Sequence, residues 1–186
     1  MTNLVNNGMG RVHIEFSVPT RSLIGYRDEF LTDTRGTGIM NSLFDGYEPF
    51  RGECPSRFTG SIVADRSGHA VPYALFNLEP RGRLFITPGE SVYEGMIIGE
   101  HNRSQDIDVN ATKEKKLTNM RAAGKDDNVL LSPIKPMTLE QTISFIRDDE
   151  LVEVTPLSIR MRKGVLSAQK RHLVRSAKIK KLTQQE

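Results

Sequence analysis

The 186-residue sequence predicts an α+β protein in two parts: a strand-helix-strand segment over residues 1–50, then a β-rich part over 51–186 with two short helices and a long basic loop. Three observations predict this. Residues 11–18 alternate strictly between apolar and polar; the chain beyond Pro49 breaks into short apolar runs between Gly and Pro turns; and positive charge is concentrated in one loop and at one end.

Val12, Ile14, Phe16 and Val18 fall on one face of the first strand, with His13, Glu15 and Ser17 on the other. Pro19 ends it. Thr20 is placed to cap a helix carrying Leu23, Tyr26, Phe30, Leu31 and Thr34 near one stripe, and Gly36 stops that helix. Ile39 to Phe44 resumes as a strand, which a right-handed crossover would set parallel to the first.

In the second part, Thr59 to Asp65 and Ala70 to Leu78 are predicted as strands around the turn Arg66-Ser67-Gly68-His69. Leu84 to Ile86 and Val92 to Gly99 are two more, separated by the turn at Thr87-Pro88-Gly89-Glu90. Residues 101–128 show no sustained period, as in a long functional or disordered connection. Val129 to Leu131 recovers a strand. Thr138-Leu139-Glu140-Gln141 is a capping box that opens a helix with Leu139, Ile143 and Ile146 as its stripe. Asp148-Asp149-Glu150 closes that helix before a strand from Leu151 to Thr155. The next strand sets Leu157, Ile159 and Met161 inward and Ser158, Arg160 and Arg162 outward, and Val165 to Ile179 reads as a basic helix with Leu166, Leu173 and Val174 as its apolar anchor.

The balance of 37% hydrophobic and 26% charged residues suits a globular chain rather than a disordered one. No apolar run approaches the roughly 18 residues of a bilayer span and Met1-Thr2-Asn3-Leu4 opens no signal sequence, so a cytoplasmic protein without a membrane partner is expected. Cys54 is the single cysteine, which fits a reducing compartment.

The net charge is +3, yet Val154 to Gln185 contains no Asp or Glu and nine cations, so the rest of the chain is acidic on balance. Such asymmetry marks a polyanion-facing end. Between residues 111 and 125, Lys113, Lys115, Lys116, Arg121 and Lys125 outweigh the lone Glu114, and Asn119 adds a neutral donor for phosphate or sugar oxygens. The candidate RNA-binding residues are therefore Lys113, Lys115, Lys116, Asn119, Arg121 and Lys125 in the loop, with Arg160, Arg162, Lys163, Lys170, Arg171, Arg175 and Lys178 in the basic tail over 157–186. Few aromatics accompany them, which favours recognition of backbone and shape over base stacking. Two other readings stay open: a structural domain whose tail confers solubility, and an enzyme domain around His101, Asp106 and Asp108.

Other constellations are weaker. No G-x-x-x-x-G-K-[ST] phosphate loop occurs, and Asp65-Arg66-Ser67-Gly68 matches the loose D-x-x-G of GTPase switches but reads as an ordinary turn. His101 with Asp106 and Asp108 is the nearest approach to metal-ligand spacing. Asp148-Asp149-Glu150 lacks the glycine punctuation of a calcium loop, and Cys54 with His69 sits in no nucleophile-base constellation. No catalytic or metal-binding residue is assigned.

The run from Val12 to Tyr47 resembles the second half of the fifth domain of elongation factor G, with Pro19, Gly25, Tyr26, Arg27, Thr34, Gly36, Gly38, Phe44 and Tyr47 in the places of its pattern. The segments ALFNLEPRGRLFITPGESVYEGMIIGEHNRSQDIDVN, KKLTNMRAAGKDD and MTLEQTISFIRDDELVEVTPLSIRMRK resemble the C-terminal domain of the BipA, or TypA, translational GTPases. The resemblance implies that residues 1–50 are half of a ferredoxin-like fold and 51–186 a BipA-type C-terminal domain. It implies a module that meets the large ribosomal subunit, ribosomal RNA and the acceptor region of an A-site tRNA, in a family serving ribosome assembly and growth under stress. GTP and Mg would belong to a G domain that has no counterpart here, so no cofactor is expected in this chain and it is not itself expected to be an enzyme. An internal fragment, a split-gene product or a part of a larger complex is expected, loosely held over its first fifty residues or self-associating there through an exposed strand edge.

Overall fold

The structure, a computed structural model, describes residues 1–50, 52, 57–115, 130–134 and 136–183, with the side chains of 175 and 178–183 outside the description. The chain divides into two compact units, Met1–Pro55 and Ser56–Glu186.

In the first unit β1 (Asn3–Asn6) and β2 (Val12–Glu15) form an antiparallel hairpin, followed by a 3₁₀ turn at Thr20–Leu23 and α1 (Tyr26–Asp33). This corrects the strand-helix-strand expectation. The opening residues supply the partner strand, and Ile39 to Phe44 forms no strand in this unit. Among the described residues of the unit none is buried, and Val12, Ile14, Phe16, Leu43, Phe44 and Tyr47 all stand exposed. The apolar side chains on the alternating face of β2, Val12 and Ile14, therefore stand about half exposed.

The second unit is built around β7 (Met96–His101). Before it come β3 (Ser61–Ala64), β4 (Gly68–His69), α2 (Pro72–Leu78), β5 (Gly82–Leu84) and β6 (Ser91–Val92); after it come β8 (Ile107–Val109), α3 (Leu139–Phe145), β9 (Glu150–Val154), β10 (Ile159–Lys163) and α4 (Ala168–Thr183). One edge of β7 pairs antiparallel with β3, which in turn pairs parallel with β8. The other edge is shared: β10 takes Met96 and Ile97, and β5 takes Gly99 to His101. β9 closes the sheet on β10, and β4 and β6 form a separate small ribbon.

The run Ser61-Ile62-Val63-Ala64 is buried throughout, as expected of a central strand covered on both faces. On one face Ile62, Ala64, Met96 and Ile98 pack with Leu75 and Leu78 of α2. On the other, Val63, Ile97 and Met161 pack with Phe145 of α3, whose ring meets Phe85 edge-on at 5.2 Å.

Ala70 to Leu78, expected as a strand, is instead helical from Pro72. Proline at the first helical position has no amide to lose, and the buried Ala74, Leu75 and Leu78 follow helical spacing. The predicted capping box forms in full, with the Gln141 amide donating to Thr138 Oγ1 and the Thr138 amide to Gln141 Oε1. β8 arises within the segment that lacks periodicity. Of Val129 to Leu131, expected as a strand, Leu130 and Leu131 lie in no regular element and Val129 lies outside the described residues.

Candidate nucleic-acid interface

Strand alternation divides Arg160 to Lys163 of β10 between two faces. Met161 and Lys163 point one way and are buried; Arg160 and Arg162 point the other and are half-buried. Lys163, expected on a cationic surface, is therefore inside, with its side chain only 1% exposed. Its Nζ lies 2.6 Å from Asp106 Oδ2, 2.9 Å from Asp149 Oδ2 and 2.9 Å from Glu150 Oε1.

Glu150 also accepts from Arg57 at 2.7 Å, from Ser61 Oγ at 2.5 Å and from the Arg147 amide at 3.0 Å. Arg57 lies over the Phe145 ring at 3.5 Å, and Arg147 donates to the carbonyls of Arg57 and Thr59. Three cations thus gather near three carboxylates, of which Glu150 is fully buried, Asp106 is partly buried and Asp149 is exposed. Burial alone would push the Asp106 carboxyl up, but hydrogen bonds from Lys163 and the Ser61 amide, with the Lys163 charge, hold it below its ordinary value. Burial would likewise lower Lys163, and its carboxylate partners override this and raise it.

Arg162 is also committed, donating to Glu153 Oε1 at 2.6 Å, while the Tyr93 hydroxyl donates to Glu153 Oε2 at 2.6 Å. The Tyr93 bond, with Arg162, keeps the Glu153 carboxyl low despite some burial, and burial together with Glu153 raises the Tyr93 phenol. Arg160 stands opposite Glu153 in the β9–β10 register, and its charge also favours that carboxylate; its Nε, like those of Arg57 and Arg147, is buried without a hydrogen-bond partner among the described residues.

The proposed enzyme centre comes apart in the same way. His101 is buried, with Nδ1 2.6 Å from the Gln105 carbonyl. Asp106 serves Lys163 and the Ser61 amide, and Asp108 pairs with Arg171 and lies 3.5 Å from His172 Nε2. Among the described residues no group of His, Cys, Asp or Glu is arranged to hold a metal ion, and no helix is long and apolar enough to cross a membrane.

Of the predicted RNA-binding cations, the described residues show Lys113 and Lys115, which follow β8, and Lys170 on α4 as exposed. Lys116, Asn119, Arg121 and Lys125 lie outside the described residues, as do the side chains of Arg175 and Lys178. α4 is seated through its first turn. The Ala168 amide donates to Glu94 Oε1 at 3.0 Å, Arg171 reaches Asp108 and the Leu166 carbonyl, and Gly95 lies so close that a Cβ there would meet the Leu166 backbone at 2.7 Å. Gly95 has φ +86°, a conformation glycine adopts without strain. Beyond that turn Leu173 and Val174 are exposed. α4 is thus a helix held at its N-terminal end whose sequence from Ala168 to Thr183 carries six Lys or Arg and no acid.

The residues that reading the sequence missed are those holding Lys163. Arg57, Ser61 and Arg147 carry no motif, but the period-two parity of Met161 and Lys163 does signal that both share the core face.

Residues 59–168, more than half of the chain, match the family model described as the TypA/BipA C-terminal domain, and residues 1–58 match the elongation factor G C-terminus. Similar proteins include the large ribosomal subunit assembly factor BipA of Escherichia coli K12, 51% identical over 168 residues covering 90% of this chain and 28% of that protein. The protein of the same name in Bacillus subtilis is 45% identical over 182 residues, covering 97% of this chain and 29% of that protein. The chain therefore spans less than a third of the length of these relatives.

Proposed function

Because the chain belongs to the TypA/BipA family, we propose that it is the ribosome-facing, RNA-contacting module of a translational GTPase that serves large-subunit assembly and adaptation to stress. The relatives' name, large ribosomal subunit assembly factor, supports the partner. The observation that carries the reading is α4, an acid-free basic helix fixed at one end, in the same unit as the exposed Lys113 and Lys115. The module engages ribosomal RNA and the acceptor region of an A-site tRNA through phosphate contacts from the segment after β8 and from α4. GTP and Mg act elsewhere in the polypeptide, in the cytoplasm, and no residue of this chain carries out hydrolysis.

The test is the salt dependence of binding to isolated large subunits. A module neutralising several phosphates loses affinity with a log-log slope of about −0.7 to −0.9 per phosphate. Replacing Lys113, Lys115, Lys116 and Arg121 together by Ala is expected to weaken binding and flatten that slope. Binding indifferent to both salt and these substitutions would overturn the reading.

A further inference from the structure

Asp108 stands where the two basic segments leave the sheet. It is the middle residue of β8, an edge strand paired with β3 alone. Ile107 and Val109 pack toward the core, and Asp108 alternates away from them. Its carboxylate accepts from the Arg171 guanidinium of α4 and lies 3.5 Å from His172 Nε2.

Arg171, expected among the RNA-binding cations, is tied down by this contact. Its side chain is only 16% exposed, and it also donates to the Val165 carbonyl at 3.0 Å and to the Leu166 carbonyl. The adjacent Lys170 is exposed. Glu94 holds the same turn through the Ala168 amide. On the other side of Asp108, the chain leading to the exposed Lys113 is pinned at each step. The Val109 carbonyl accepts from the Asp65 amide at 2.9 Å, and Asn110 Oδ1 accepts from the Thr112 amide and hydroxyl. Ala111 is buried, with its carbonyl on the Val71 amide at 3.0 Å. Lys113 and Lys170 thus depart from one fixed footing.

We propose that Asp108 is a positioning residue that sets the spacing of the two cationic segments, and so makes the module prefer folded RNA, whose phosphates stand at fixed intervals, to a flexible single strand. This rests on the RNA-contacting reading above. Two contacts on a rigid footing reinforce each other only where their spacing fits the target. A flexible strand moulds itself to either spacing, and for it Asp108 is merely an acid beside cations.

Asp108→Asn separates position from charge. By charge alone, removing an acid beside Lys113 and Lys170 strengthens binding to every polyanion. The full chain carrying Asp108→Asn is expected instead to lose about tenfold in affinity for isolated large ribosomal subunits, while its affinity for poly(U) stays level or rises. Glu94→Ala, which releases the first turn of α4 without touching β8, is expected to act with the same opposed signs. Asp108→Glu, which keeps an acceptor, is expected to fall between. Slow amide exchange at Ser61 to Ala64 in each variant establishes that the sheet is folded. Equal changes on both targets, or tighter subunit binding by Asp108→Asn, would remove the positioning role and leave the module reading standing. An unsubstituted chain that binds neither target would sink the module reading itself.

Discussion

Lys163 Nζ lies 2.9 Å from Glu150 Oε1, and neither side chain is more than 1% exposed. A lysine from the basic end of the chain is thus part of the interior, where its charge joins the end of β10 to the start of β9 and to the loop before β8. Removing one partner of a buried pair leaves an uncompensated charge. Lys163→Met is expected to destabilise the second unit by about 3–5 kcal/mol, read from urea unfolding. In the fraction that remains folded, the salt slope of ribosome binding is expected to stay as it was, because Lys163 has no surface from which to reach phosphate.

The same cluster sets the pH range of stability. Asp106 is held below its ordinary 3.8, so its contribution is complete above that pH and is lost as the medium falls through the lower folded value. Lys163 is raised above its ordinary 10.5, so its contribution is complete below that pH and is lost only as the medium climbs through the higher folded value. Unfolding midpoints should therefore be flat between these limits. Asp106→Asn should lower the plateau and reduce the acid-side slope; an unchanged acid limb would show that Asp106 is not among the groups being titrated.

Much of this arrangement is visible in the sequence where one physical rule acts alone. The capping box at Thr138 and Gln141 is local, and it forms as read. The burial of Ser61 to Ala64 follows from an apolar run in a central strand. Two rules compete at Pro72 to Leu78: an unbroken apolar run is equally consistent with a buried strand and a buried helix, and only the proline at the first helical position decides. Lys163 shows the limit in the candidate site. Its parity with Met161 placed it inward, but its carboxylate partners come from three separate segments, and charge counting along the chain cannot see which cations are already paired.

The seat of α4 depends on glycine. At Gly95 a methyl group would meet the Leu166 backbone at 2.7 Å, and φ is +86°. Gly95→Ala is expected to cost about 1–3 kcal/mol through backbone strain and to loosen α4, read as faster amide hydrogen exchange over Ala168 to Arg171. If the cations of α4 act from a fixed position, ribosome affinity falls with it while the far-ultraviolet spectrum of the sheet is retained. Undiminished affinity would mean that α4 contributes only charge.

The two units differ in what protects their backbones. Ile62 and Ile98 are inaccessible to solvent, whereas no described residue of the first unit is buried and Ile14, Phe16 and Phe44 remain 46%, 60% and 77% exposed. Helices and hairpins of this size gain most of their stability from packing of an apolar face. Amides of Val12 to Glu15 and Tyr26 to Asp33 are therefore expected to exchange at near-intrinsic rates in the dilute chain, while those of Ser61 to Ala64 exchange only on global unfolding. Self-association through the hairpin edge would make the first-unit protection rise with protein concentration. Strong, concentration-independent protection there in a monodisperse monomer would contradict both expectations, because the exposed faces of β2 would then be stable without a cover.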